Sequence, residues 1–273
     1  MLLRKDVNVY VYDPWKKFFQ MVVELKNVPG ALSSVLGVLQ NLNLNVLGSF
    51  SSVTPYAGTG VWSAFVEDSR HTASELKEKV SSSRYVLDSI VVESKEGFLV
   101  DSVHFPLSWN TGDRAVMMRA KYLGRMLDKM REKFGTGGEV IIYEEGFVNG
   151  KESLADFAAR VGAGFMRSNL RDVLKMYQAL GWFKLEGVDQ SERDRTVTMR
   201  TSGSFECEGR KSTKPYSHFV RGQLCGALTA ILGEEMECEE VKCIAMGDQR
   251  CEFVLRHKES ADRLAEPMSI PER

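Results

Sequence analysis

Glycine at every fourth position of a helical stretch is the feature that most constrains this chain. In PYSHFVRGQLCGALTAILG, residues 215–233, Gly222, Gly226 and Ala230 form a small-residue stripe. Glycine inside a helix costs about 1 kcal/mol relative to alanine, so close packing or a cavity wall must lie against that face. Residues 139–161 have the same character. The run EVIIY alone reads as a strand. Yet Ile142, Gly146 and Gly150 fall on one helical face, and Phe157 and Ala158 continue the period. A long helix is expected, with glycines that let another helix come close.

Composition narrows the class. The 273 residues are 43% hydrophobic and carry 36 Lys plus Arg against 37 Asp plus Glu. That balance gives no basic surplus asking for nucleic acid or an anionic membrane. No run approaches the roughly 20 apolar residues of a transmembrane helix, and MLLRKDVNVYVYD lacks a signal-peptide core. A cytoplasmic protein of two domains is expected. Free thiols suit that compartment, and the five cysteines are an odd number.

Residues 18–95 read as βαββαβ. FFQMVVEL is a strand, and Val28, Leu32, Val35, Leu36 and Leu39 mark an amphipathic helix starting near Pro29. Two strands follow with a turn at Tyr56–Gly60, then a helix capped by Thr72 or Ser74, then VLDSIVVES as a closing strand. The polar break at 93–98 ends the segment. The loop Asn27-Val28-Pro29-Gly30-Ala31-Leu32, with NLNV before the next strand, resembles the ACT domain family. The resemblance implies a ferredoxin-like plait whose loop binds a free amino acid or only dimerises. The chemistry suits an amino acid: a helix N-terminus offers unpaired N–H groups to a carboxylate, Gly30 leaves room for close approach, and Asn27 both donates and accepts.

Residues 98–258 read as a strand and turn, then helices over 113–134, 139–161, 169–181 and 215–233. Strands at 182–188 and 195–207 fall between the last two helices, and a closing hairpin ends the segment. In that hairpin, VKCIAMGDQRCEF sets Cys243 and Cys251 about Gly247-Asp248. A two-residue loop turns the two thiols to opposite faces. A three-residue loop, Gly247 to Gln249, puts Ala245 opposite Cys251 and Cys243 diagonally across on the same face, about 7 Å or less away. A shared metal is then feasible, zinc above all for thiolates. Glu240 and His218 are further candidate ligands, and Glu240 needs a bulge to join because alternate strand residues face oppositely. Buried core cysteine is the competing reading, and the one expected of Cys207, Cys225 and Cys238.

The series His218, Phe219, Gly222, Gly226, Glu240, Cys243, Gly247, Asp248, Cys251, Phe253 resembles the 4-vinyl reductase-type domain, related to subunits of the TRAPP tethering complex. The resemblance implies helices packed on an antiparallel sheet and a pocket for a small hydrophobic molecule. It also implies a structural zinc held by the Glu, both Cys and one upstream Cys. Ser217 stands where that upstream Cys is expected, with His218 or Cys225 as replacements. Phe147, Phe157, Phe165, Trp182, Phe183, Phe205 and Phe219 are candidate lining or plain core.

The expected whole is an α+β sensor or regulatory protein. It has an ACT-like domain at 18–95, a ligand-binding domain at 98–258 and a loose tail at 259–273. Its expected partners are a small hydrophobic molecule, an amino acid, a second copy in a homodimer and an output protein. An enzyme or accessory of tetrapyrrole or aromatic metabolism, or a ligand-free scaffold, are the alternatives. No nucleophile, phosphate-loop or dinucleotide motif appears, and no catalytic residue is assigned.

Overall fold

A computed structural model describes residues 5–54, 58–109, 112–191, 193 and 195–258. The tail expected at 259–273, and Tyr56 and Ala57 of the turn expected at Tyr56–Gly60, lie outside these. The chain divides into two compact units, 1–116 and 117–273. The α+β class is as expected: both units set helices on antiparallel sheets.

In the first unit β1 is Tyr10–Tyr12, β2 Phe18–Lys26, α1 Ala31–Asn41, β3 Asn45–Thr54, β4 Thr59–Glu67, α2 Ala73–Ser81, β5 Val86–Glu93 and β6 Phe98–Val100. The main sheet runs β3-β4-β2-β5, all antiparallel, which is the order of a ferredoxin-like plait. Its core joins Phe19, Met21 and Val23 of β2 to Val35 and Leu39 of α1 and Leu76 and Val80 of α2. Thr72 starts α2 with a reciprocal capping box to Glu75.

Two expectations for this unit change. The apolar row of α1 splits. Ala31, Val35 and Leu39 are buried, whereas Val28, Leu32 and Leu36 form a parallel row left exposed. The stretch opening at Phe98 also belongs to the first unit, not the second. Phe98–Val100 pairs with β1, and Leu99 packs with Phe18 and Phe65. The boundary therefore falls later than 93–98, between Val116 and Met117.

In the second unit α3 is Ala120–Phe134, α4 Thr136–Val161, α5 Ala163–Ser168 and α6 Leu170–Ala179. β7 is Lys184–Ser191, β8 Thr196–Ser202, α7 His218–Leu232, β9 Met236–Lys242 and β10 Cys251–His257. The sheet order is β7-β8-β10-β9. The ambiguous EVIIY is helix, inside α4. The helix expected from Asp113 starts only at Ala120, and α5 was not expected.

The glycine stripes meet each other. A Cβ on Gly146 would lie 2.2 Å from the Phe219 carbonyl oxygen, and one on Gly150 2.1 Å from that of Gln223. In return, Gly222 faces the Tyr143 oxygen and Gly226 the Phe147 oxygen, each at 2.0 Å. The partner numbers rise together, so α4 and α7 run parallel, backbone against backbone. At these four glycines there is no room for a side chain between the two backbones. Eleven of the fifteen residues of α7 are buried, which makes it the axis of the second unit.

Candidate metal centre

The closing hairpin is not the short turn expected. β9 and β10 pair Glu252 with Lys242 and Phe253 with Glu240, which skips Val241 and creates a bulge. Cys243 has already left the ladder. It precedes a 3-10 turn at Ile244–Met246, and Gly247 follows in a left-handed conformation at φ 104°. Asp248 closes the loop by accepting the Cys243 N–H at 2.8 Å. Cys251 opposes Thr201 of β8 rather than Ala245. The longer loop lets Cys243 fold back over the sheet's end, so both thiols reach one spot without the diagonal pairing.

The bulge does for Glu240 what a regular strand forbids. Glu240, Cys243 and Cys251 bring their ligand atoms together, and Cys207 joins them: all four atoms lie within 4.8 Å of one another. Cys207 Sγ lies 3.6 Å from Cys243 Sγ and 3.9 Å from Cys251 Sγ. These distances far exceed a disulfide's ~2.05 Å. They match the ~3.8 Å between sulfurs on a tetrahedron with Zn–S of about 2.3 Å. Three soft sulfurs with one carboxylate oxygen are a zinc-type donor set.

The surroundings suit charged ligands. Each of the four residues is at most 4% exposed. Ser217 donates its N–H to Glu240 Oε2 at 3.0 Å and its hydroxyl to Oε1 at 2.7 Å. Ile244 N–H points at Cys251 Sγ at 3.4 Å. Burial, then the neighbouring Cys243, pushes the Glu240 carboxyl up to about 8. Bonds from Cys207 and Cys251 hold the Cys243 thiol down; the bond to Cys243 pushes the Cys207 thiol up, and bonds to Cys207 and then Cys243 push the Cys251 thiol up. Four buried acids cannot all ionise without a cation; protons must stay, or a metal must replace them.

Two expectations about ligands change here. His218 is not in the group. Its Nδ1 meets the Tyr216 carbonyl at 3.1 Å, and its Nε2 lies 3.7 Å from Glu139. Nor is Ser217 a vacant ligand position: it holds Glu240 in place while Cys207 supplies the third sulfur. Of the two expectations for Cys207, the core holds, for it is buried there, and the strand does not. The strand in fact stops at Ser202, and Cys207 sits in a turn between Gly203 and Gly209. Its flanking glycines in SGSFECEG are the signal that could have found it. Cys225 stays a core thiol, donating to the Met236 carbonyl at 3.0 Å.

Beside Cys207, Glu206 is fully buried and accepts the N–H groups of Phe219 and Val220 at the start of α7, at 3.1 and 2.9 Å. Arg131 of α3 binds the same carboxylate and also reaches the Tyr216 carbonyl. This pair anchors both the 203–209 turn and the head of α7, and no sequence signal had singled it out.

The aromatic residues expected to line a chamber touch one another. Trp182 lies 5.9 Å from Phe205 and 5.5 Å from Phe219, and Tyr177 packs at a tilt against Trp182 and Phe183. Phe147 and Phe157 pack against the same core, and Phe165 is exposed. In the first unit Asn27, Val28, Pro29, Gly30 and Leu32 form an exposed rim at the head of α1, and Ala31 turns into the core. Gly30 begins α1 with φ 87°, and Asn27 does not cap the helix.

Residues 197–257 match the V4R domain. All four clustered residues lie inside the matched stretch. No protein of curated function matches the sequence. Among solved structures, the phenol-responsive sensory domain of the transcription activator PoxR is similar at 18% identity. That match covers 58% of this chain and 84% of that one, with a TM-score of 0.45. A trafficking protein particle complex subunit 3 from Naegleria fowleri, bound covalently to palmitic acid, is similar at 18% identity over 51% and 95%, TM-score 0.40. A vinyl-4-reductase family protein from Methanocaldococcus jannaschii is similar at 19% identity over 53% and 85%, TM-score 0.39. Among the described residues no helix is long and apolar enough to cross a membrane.

Proposed function

We propose that this chain is a small-molecule sensor or regulatory protein whose V4R segment binds a small hydrophobic molecule and is fastened by one structural zinc. The observation that carries the reading is the sulfur spacing at Cys207, Cys243 and Cys251, with Glu240 as the fourth donor. When bound, the ion supplies a cross-link and no reaction step. Cys207 brings the 203–209 turn, Glu240 brings β9, Cys243 the hairpin loop and Cys251 β10. Ser217 orients Glu240 from the head of α7. Zinc would thus tie the hairpin to the turn that carries Phe205, and so to the aromatic cluster where a ligand would sit.

In this reading the first unit is an ACT-like module that binds an amino acid at Asn27–Leu32 or dimerises the chain in the cytoplasm. A ligand that favours one arrangement of the dimer then passes a signal to an output protein. The test is native mass spectrometry of freshly purified protein. A co-purifying apolar small molecule, lost on denaturation, is the expected result. A bound redox cofactor would replace the sensor reading with an enzyme, and protein that neither carries nor takes up any small molecule would leave a scaffold.

A further inference from the structure

We infer that the ligand of the second unit is a monoanion with an apolar body, such as an aromatic or aliphatic carboxylate, taken up at a cleft between α3 and the 205–210 turn. This rests on the small-molecule reading above and adds the ligand's charge and point of entry. The cleft has a volume of about 410 Å³, within the ~300–1,000 Å³ of small-molecule sites. Its walls carry Lys121, Arg125, Arg210, Asp128 and Glu208, and Phe205, only 4% exposed, borders it.

The charges on that rim do not cancel. Asp128 is already matched, accepting from Arg210 Nη2 at 3.0 Å and from the Tyr216 hydroxyl at 2.9 Å. Arg210 is held further by the carbonyls of Phe205 and Glu208 at 3.1 and 2.8 Å. Its guanidinium occupies the space a Cβ on Gly124 would need, 2.3 Å away, so the glycine lets the turn dock on α3 and fixes the wall. Lys121 and Arg125 remain, one helical turn apart and exposed, making no hydrogen bond or ion pair among the described residues. Glu208 is the one carboxylate left to oppose them, which leaves a surplus of one positive charge. Arg125 presents a planar fork suited to a carboxylate.

The apolar half of the site follows from Phe205. Its ring packs edge-on against Trp182 at 5.9 Å and Phe219 at 6.4 Å. A ligand with its charge at Lys121 and Arg125 would meet Phe205 first, and its body would enter by parting Phe205 from Trp182 and Phe219. Phe205 also lies two residues from Cys207, so a ligand there would press on the turn that the sulfur cluster holds.

The test is calorimetric titration of the full chain with matched acid and alcohol pairs sharing one body: benzoate with benzyl alcohol, 2-naphthoate with 2-naphthylmethanol, octanoate with octanol. In at least one pair the acid should bind about tenfold or more tightly than its alcohol. The double variant Lys121→Glu, Arg125→Glu should abolish that preference. An alcohol that binds as well as its acid, or an acid preference that survives both charge reversals, overturns this inference and leaves the apolar-ligand reading standing. Binding of neither member of any pair overturns both.

Discussion

Single residues decide the site. Glu206 has no exposed side-chain surface and Arg131 little. Glu206→Gln would therefore leave the buried Arg131 with only the 3.5 Å ion pair to Asp128, at a cost below the about 3–5 kcal/mol of a fully unpaired buried charge, readable as a drop in the urea midpoint. His218 gives a pH signature. Burial first, then Arg131, lowers its pKa to about 4, below the usual 6.5. The unfolded chain therefore binds the proton more readily between those values. Stability is full above pH 6.5 and falls as pH drops toward 4, by about 1 kcal/mol at pH 5.5. His218→Gln should flatten that part of the stability curve. At this scale the sequence was legible where spacing is local: Cys243, Cys251 and Glu240 declare themselves within one hairpin. Cys207 did not, because it enters from a turn far away in sequence, and only the fold brings it near. In sequence Ser217 reads as a missing ligand, whereas in the structure it orients Glu240.

At the scale of elements, the glycine stripes were the most readable feature. Four glycines at matching steps mean close packing or a cavity wall, and α4 and α7 show the first. Gly222→Ala or Gly146→Ala would push a methyl to within about 2 Å of a backbone carbonyl. Each should cost about 1–3 kcal/mol or more, with loss of cooperative unfolding of the second unit. Gly37 in α1 is the contrast: nothing lies within 4 Å of its missing Cβ, so Gly37→Ala should stabilise by up to about 1 kcal/mol. Chemical denaturation of both sets checks the pair of signs. The hairpin was less legible, because a 3-10 turn and a bulge at Val241 leave no periodic mark. The row Val28, Leu32, Leu36 misled for a related reason. Apolar spacing shows that a face is apolar, not which neighbouring face meets the sheet.

For the whole molecule, topology followed from element order: βαββαβ read from sequence is the plait found. The boundary did not, since β1 and β6 pair across almost the full length of the first unit, a non-local event without a local pattern. Each unit has its own core, so calorimetry should resolve two transitions, and a zinc chelator should lower only the one lost by core substitutions in 117–258. The central claim is that three sulfurs and a carboxylate hold one zinc, and metal content tests it most directly. Elemental analysis of protein purified without added metal should give one zinc per chain, with the zinc lost in Cys207→Ser and retained in Cys225→Ser. Metal-free wild-type protein whose melting temperature is unchanged by added zinc and by Cys243→Ser would contradict the account.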